Sequence, residues 1–336
     1  MPDLRYPPKL SLANIPTPLQ KLERVSQKLG VNVWMKRDDL TGSVLSGNKI
    51  RKLEFTLAQA QHESCDTLIT CGGLQSNHCR ATALLGAQLD FDVHLVLRGD
   101  PPLELDGNLL LDTIAGAHIE TFPSRGFAGQ LSARLEAKAS ELKKAGRKPY
   151  IIPTGASDEV GCWGYLHACA ELRKDIERHG FKPDGIYLAT GSGGTQAGLT
   201  LGAELFGLGC SVVGLAVCDD TAYFQRKVRQ DMLSWCKRYG SDCKVSEDLV
   251  KALDICVIDD YIGPGYAQAD DDVYKTITWL ARQEGVVLDP VYTGKAFHGL
   301  VSEIQLGNIR SGSDVVFVHT GGVFGIFPER ARFGGL

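Results

Sequence analysis

Eight short apolar runs, at 31–36, 67–71, 93–97, 150–153, 185–189, 211–217, 254–258 and 315–319, recur along the chain with longer amphipathic stretches between them. The segments 49–62, 77–89, 127–144, 162–179, 195–206 and 271–284 hold apolar residues at helical spacing and few breakers. A strand covered on both faces reads as a continuous apolar run, and parallel strands need crossover helices. The alternation therefore predicts an α/β fold built from mostly parallel twisted sheets flanked by helices. One strand-helix set lies in 67–153 and another from 185 onward, which predicts two lobes and a ligand cleft between them. The 336 residues suffice for two domains, and no Pro/Ser-rich linker marks a border.

Composition narrows the function. Lysine and arginine number 36 against 40 aspartates and glutamates, for a net charge of -4, so nothing neutralises a nucleic-acid backbone and no such partner is expected. The longest apolar run, 209–218, is far short of a membrane span, and the opening MPDLRYPPKLSLANIPTPL has no apolar h-region. The ten cysteines form no CxxC pair and no zinc-type spacing. They read as reduced, mostly buried small hydrophobes, with no metal site. A soluble cytoplasmic protein is expected. The 38 glycines exceed ordinary usage and point to loops with a purpose.

Those loops sit at strand ends. In IYLATGSGGTQAGL an apolar strand runs into Thr190-Gly191-Ser192-Gly193-Gly194-Thr195 and then a helix. Glycines that let a ligand approach free N–H groups at a helix start make a phosphate cradle, or else simply a tight turn. The third glycine of a dinucleotide GxGxxG is replaced by Gln196, although Asp219 and Asp220 end the next strand where a ribose would lie. In SGNKIRKLEF, Lys49 and Lys52 are spaced i, i+3 on one helix face, with Cβ atoms roughly 5–6 Å apart. The pair reads as one lysine bonding a ligand covalently and the other meeting its phosphate, or as a solvated basic face with Arg51. A third junction, CGGLQSNHCR, offers Ser76 or Asn77 as an N-cap or as a holder of a substrate carboxylate, with His78 beside them. Near the C-terminus, VYTGKA and VHTGG bring Tyr292, Thr293 and Thr320 to two further glycine turns.

The pieces KRDDLTG, SGNKIRKLEF, QSNHCR, ATGSGGTQAGL, DDYIGPGY, LDPVYTGKA and VHTGG, in this order and over nearly the whole chain, resemble the D-cysteine desulfhydrase and 1-aminocyclopropane-1-carboxylate (ACC) deaminase family. These are pyridoxal-phosphate enzymes of the tryptophan-synthase β-like fold (fold type II). The resemblance implies a two-domain α/β fold, with a large cofactor-binding domain at 1–53 and 161–336 and a small domain at 54–160. It implies that Lys49 bonds the cofactor covalently, that Lys52 assists its phosphate, and that Asn77 contacts the ring hydroxyl. Thr190, Gly191, Ser192, Gly193, Gly194 and Thr195 match the phosphate loop. Ser76 matches the family's active-site serine, with Asn77 and His78 beside it at the substrate, and Tyr266 and Tyr292 match the tyrosines that face the substrate. A homodimer acting on a small amino acid is implied as well.

ACC deaminases carry Glu where this chain has Thr293, and Leu where it has Thr320; the desulfhydrase-like members resemble the present pattern. A carboxylate at the pyridine nitrogen keeps it protonated and the ring a strong electron sink; a hydroxyl holds that proton less firmly, which suits simple β-elimination. Two departures are Ser46, where glycine is usual, and Asp158 in TGASD, an acid expected near the cleft. The leading expectation is a D-cysteine desulfhydrase that forms pyruvate, ammonia and hydrogen sulfide. In it, Lys49 takes the α-proton and Tyr266 or Tyr292 assists the leaving sulfur. Alternatives are L-cysteate sulfo-lysis, ACC deamination, an NAD-dependent oxidoreductase using the Gly191 loop and Asp219, and a non-catalytic cofactor-binding protein.

Overall fold

The computed structural model of the chain describes residues 4–100 and 102–334. Its strands are β1 (Leu19–Lys21), β2 (Asn32–Lys36), β3 (Thr67–Gly73), β4 (Asp92–Arg98), β5 (His118–Phe122), β6 (Pro149–Ile151), β7 (Gly185–Thr190), β8 (Ser211–Ala216), β9 (Cys256–Ile258) and β10 (Asp314–Val318). Its helices are α1 (Glu23–Leu29), α2 (Asn48–His62), α3 (Asn77–Gln88), α4 (Gly107–Ile114), α5 (Phe127–Lys144), α6 (Cys162–His179), α7 (Gly194–Leu205), α8 (Thr221–Cys243), α9 (Glu247–Ala252), α10 (Asp271–Glu284) and α11 (Thr293–Gln305). A 3-10 stretch, Val323–Phe333, follows. No helix among the described residues is long and apolar enough to cross a membrane.

Two sheets form, ordered β1-β2-β10-β7-β8-β9 and β5-β4-β3-β6. All pairings are parallel except β1 with β2. The apolar runs are central strands: Leu68, Ile69 and Cys71 of β3, and Val315, Val316, Phe317 and Val318 of β10, are buried because helices cover both faces. Each sheet has its own core, one around Leu68, Leu95 and Ile50, another around Val33, Val315 and Phe297. The division expected at 53/54 falls inside α2, which runs unbroken from Asn48 to His62.

Helix α2 is held by a buried ionic network. Arg51 grips Asp38 with two bonds of 2.8 Å and reaches Glu171 of α6 at 3.0 Å. Lys36 of β2 binds Glu171 at 2.5 Å and Asp175 at 2.6 Å, while Tyr165 donates to Asp38 at 2.7 Å. The carboxylates Asp38, Glu171 and Asp175 thus face two buried cations, and no member is left unpaired, the condition under which a buried ion cluster is tolerated. Helix α6 approaches α2 at Gly164, where a Cβ would stand 2.6 Å from the Arg51 carbonyl oxygen. These ties fix the first turn of α2, which carries Lys49.

Candidate active site

The carboxyl ends of β3, β4, β7 and β8 and the start of α2 converge on a cavity of about 420 Å³ between the two sheets. That is where open parallel sheets leave unpaired backbone and helix starts facing a common space. Of the residues singled out in the sequence, Lys49, Ser76, Asn77, His78, Thr190, Gly191, Ser192, Gly193, Thr195, Tyr266, Tyr292 and Thr320 line it.

Lys49 donates to the Asn48 side-chain oxygen at 2.9 Å, and the Asn48 amide donates onward to Thr195 at 2.9 Å. The amine is open to the cavity rather than to bulk water. Desolvation, with help from the charges of Lys52 and Arg80, therefore pulls its pKa well below the ordinary lysine value. A neutral amine is what a lysine needs to act as nucleophile and base. Lys52 stands behind the wall, completely buried, 3.4 Å from the Ser157 hydroxyl, its pKa drawn down to about 8 by burial.

Helix α7 begins at the glycine loop. Gly193 has φ +85°, open to glycine at little cost, and a Cβ on it would meet Lys227 at 3.2 Å. Gly194 lies outside the cavity wall and gives its N–H to Ser157, whose hydroxyl also shares a 2.8 Å bond with Ser192. Lys227 of α8 faces the loop, bonded to Asp231 at 2.5 Å and to the Ser157 carbonyl at 3.2 Å. First-turn N–H groups without helical partners, a glycine surface and two amines make an anion cradle.

On the opposite side, Ser76 caps α3 by accepting the Cys79 N–H, and it lines the cavity as well. Asn77 accepts from Asn108 of α4 at 3.0 Å, which leaves its NH₂ to donate. His78 is neither cap nor surface residue: it is buried and its Nε2 lies 2.8 Å from the Thr70 hydroxyl. That hydroxyl donates to Ile152, so Nε2 must carry the proton. Burial and the two lysines hold this ring neutral. Tyr266 and Tyr292 share a 2.6 Å bond, with Arg98 over the Tyr266 ring at 4.7 Å and Lys49 6.0 Å from the Tyr292 ring centre. Burial raises both phenols, Tyr266 less because Tyr292 and Arg98 favour its anion.

One expectation is corrected by the geometry. Thr293 turns away from the cavity; its hydroxyl donates to the Asp289 carboxylate at 2.7 Å and accepts the Asp289 N–H at 3.0 Å. The bonds to Asp289 hold Thr293 on the buried side of the turn, while its neighbour Tyr292 lines the cavity. Of the two threonines, Thr320 is the one that lines the cavity. Asp158 does stand near the cleft, next to the wall residue Ser157, with its carboxylate spent on the N–H groups of Val160 and Gly161. Asp220 likewise caps α8, leaving Asp219 as the wall's carboxylate.

The sequence reading passed over Asn48, Arg98, Asn108, Ser157 and Lys227. Arg98 had a signal, a charged residue closing the apolar run at 93–97, whereas Asn108 and Lys227 arrive from helices whose approach is non-local. Asp92, His94 and His118 bring metal-type ligand atoms within 4.8 Å at the other ends of β4 and β5, away from the cavity. There Asp92 also pairs with Arg147.

The residues present suit pyridoxal phosphate: a lysine amine with its pKa drawn down for its aldehyde, an anion cradle for its phosphate, and Asn77 and Thr320 as polar groups that would meet its ring. A family profile described as pyridoxal-phosphate dependent enzyme matches residues 10–321. The bifunctional D-cysteine desulfhydrase/1-aminocyclopropane-1-carboxylate deaminase of Arabidopsis thaliana is 39% identical over 95% of this chain and 79% of its own. A putative 1-aminocyclopropane-1-carboxylate deaminase of Pyrococcus abyssi is 40% identical over 95% of this chain and 93% of its own. A crystal structure of an ACC deaminase homologue superposes with TM-score 0.86 at 36% identity, covering 97% of this chain and 95% of that one. Threonine deaminase isoform 2 of Solanum lycopersicum, at TM-score 0.64 and 16% identity over 92% of this chain and 80% of its own, shares the fold. The NAD reading falls with these matches: the chain belongs to the pyridoxal-phosphate dependent enzymes of fold type II.

Proposed function

We propose that the protein is a β-eliminating lyase that converts D-cysteine and water to pyruvate, ammonia and hydrogen sulfide. The observation that carries the reading is the Lys49 amine, its pKa drawn well down by burial, on one side of the cavity and the bonded Tyr266–Tyr292 pair on the other. Bound pyridoxal phosphate supplies the electron sink that makes an amino-acid α-proton removable. Lys49 Nζ takes that proton. Asn48 aims the amine, and Asn77, held by Asn108, would donate to the cofactor ring. The N–H groups at the start of α3, with Ser76, receive the substrate carboxylate. A tyrosine hydroxyl of the pair donates its proton to the sulfur as the C–S bond breaks, Tyr266 being the more acidic. Thr320 presents a hydroxyl to the cavity where ACC deaminases carry Leu, the pattern of the desulfhydrase-like members, which supports elimination over ring opening.

ACC deamination is the second reading, favoured by the name of the Pyrococcus relative; L-cysteate sulfo-lysis is separated by the same assay. The purified protein is expected to be yellow and to release sulfide from D-cysteine, with little from L-cysteine. 2-Oxobutyrate from ACC, or sulfite from L-cysteate, as the dominant product overturns the substrate assignment. Lys49→Ala is expected to lack the absorbance of lysine-bound cofactor; absorbance retained there removes Lys49 from its role. We also propose a homodimer, with a light-scattering mass near twice 36.4 kDa, which a monomer at working concentration contradicts. The free state of all ten cysteines supports a reducing compartment such as the cytosol.

A further inference from the structure

Lys295 has no part in the chemistry above, yet its side chain is buried and it pairs with no carboxylate among the described residues. A lysine ammonium has three N–H donors and no acceptor, so a buried one needs three acceptors. Lys295 finds three backbone carbonyls: Ile262 at 2.7 Å, Gly265 at 2.7 Å and Val217 at 3.4 Å. The first two belong to the loop that ends in Tyr266. Val217 follows β8 and precedes Cys218 and Asp219 in the cavity wall. Lys295 itself stands in the first turn of α11, three residues beyond Tyr292.

Little within the loop holds its shape. Gly263, Gly265 and Ala267 have φ of +67°, +144° and +60°, a course that no helix or strand supports. Its internal backbone bonds are a long one from Ile262 to Asp259 at 3.5 Å and one of 3.2 Å from Gln268 to Gly265, two residues that form an isolated β-bridge. Segments with so few local ties open easily unless something outside holds them.

We propose that Lys295 is a positioning residue, an internal cation whose ammonium gathers the carbonyls of Val217, Ile262 and Gly265 and so sets Tyr266 against Tyr292. Burial works against the charge, and the carbonyl dipoles hold it in place. The kinetic consequence rests on the proposed proton-donating role of the tyrosine pair; the ordering of the loop does not.

The test uses the holoenzyme and its Lys295→Met variant. Hydrogen exchange across 262–266 is expected to quicken about tenfold, with the visible spectrum of the cofactor unchanged. With the substrate the enzyme turns over, kcat falls about tenfold and KM moves less than about threefold. In a Tyr266→Phe background the same substitution costs less than about twofold, because the residue it acts through is already disabled. Unchanged exchange over 262–266, or an equal kinetic loss in both backgrounds, overturns the proposal. Should the Met variant not fold, Lys295→Ala prepared with ethylammonium carries the comparison: protection over 262–266 must rise with the amine, and no response overturns it. If D-cysteine is not a substrate while exchange over 262–266 quickens, the substrate reading fails and the loop assignment stands.

Discussion

The Thr293 hydroxyl both accepts from and donates to Asp289, a fully enclosed residue that also receives the N–H groups of Val291, Tyr292 and Thr293. This closed turn orients the first residues of α11 and so aims Tyr292. Removing one partner of a buried hydrogen bond exposes the desolvation cost of the other. Thr293→Val is therefore expected to lower unfolding stability by about 1–3 kcal/mol in urea titrations. A change in the cofactor's absorbance without loss of stability would return Thr293 to the ligand. Sequence resemblance assigned Thr293 and Thr320 one environment because they stand where ACC deaminases carry Glu and Leu. It could not show that Asp289, four residues back, closes on the start of α11 and takes the Thr293 hydroxyl.

Helix α2 carries both lysines and lies against α6 with no side chain between them at Gly164. A Cβ there would stand 2.6 Å from the Arg51 carbonyl and 2.7 Å from the Lys52 nitrogen, backbone atoms that can yield only if the helix shifts. Gly164→Ala is expected to cost about 1–3 kcal/mol by thermal or urea unfolding and to weaken cofactor retention on dialysis, since Lys49 moves with the helix. Full stability with full retention would mean that α6 gives way instead. Elements with a continuous signal were legible: α5, α6 and α10 keep the limits 127–144, 162–179 and 271–284 expected of them. β5 was not, because His118 and Glu120 are exposed and its five residues take their stability from pairing with β4, a non-local contact. α8 was passed over although Phe224, Val228, Met232 and Trp235 lie at helical spacing behind an Asp220 cap. There the information was present in the chain.

At the scale of the whole molecule, the net charge is -4, yet the cavity wall sets Arg98 and Lys227 against Asp219, with Lys52 buried behind it. An anionic cofactor therefore meets a positive interior within an acidic protein. The cleft was legible as a consequence of topology, because strand ends from two parallel sheets must face one space. Its cross-links were not, since Asn48 to Thr195 and Ser157 to Ser192 join residues 147 and 35 positions apart. Because both sheets supply the wall, cofactor binding is expected to tighten both at once. At a free cofactor concentration about a hundred times Kd, mass action adds about 2.7 kcal/mol, seen as a concentration-dependent rise in Tm over the stripped protein. Hydrogen exchange should then slow in two places, the turn at 72–78 after β3 and the loop at 190–195 before α7. Slowing confined to 190–195 would mean that the cofactor is held by the larger sheet alone, with the Ser76 turn free to close only when substrate arrives.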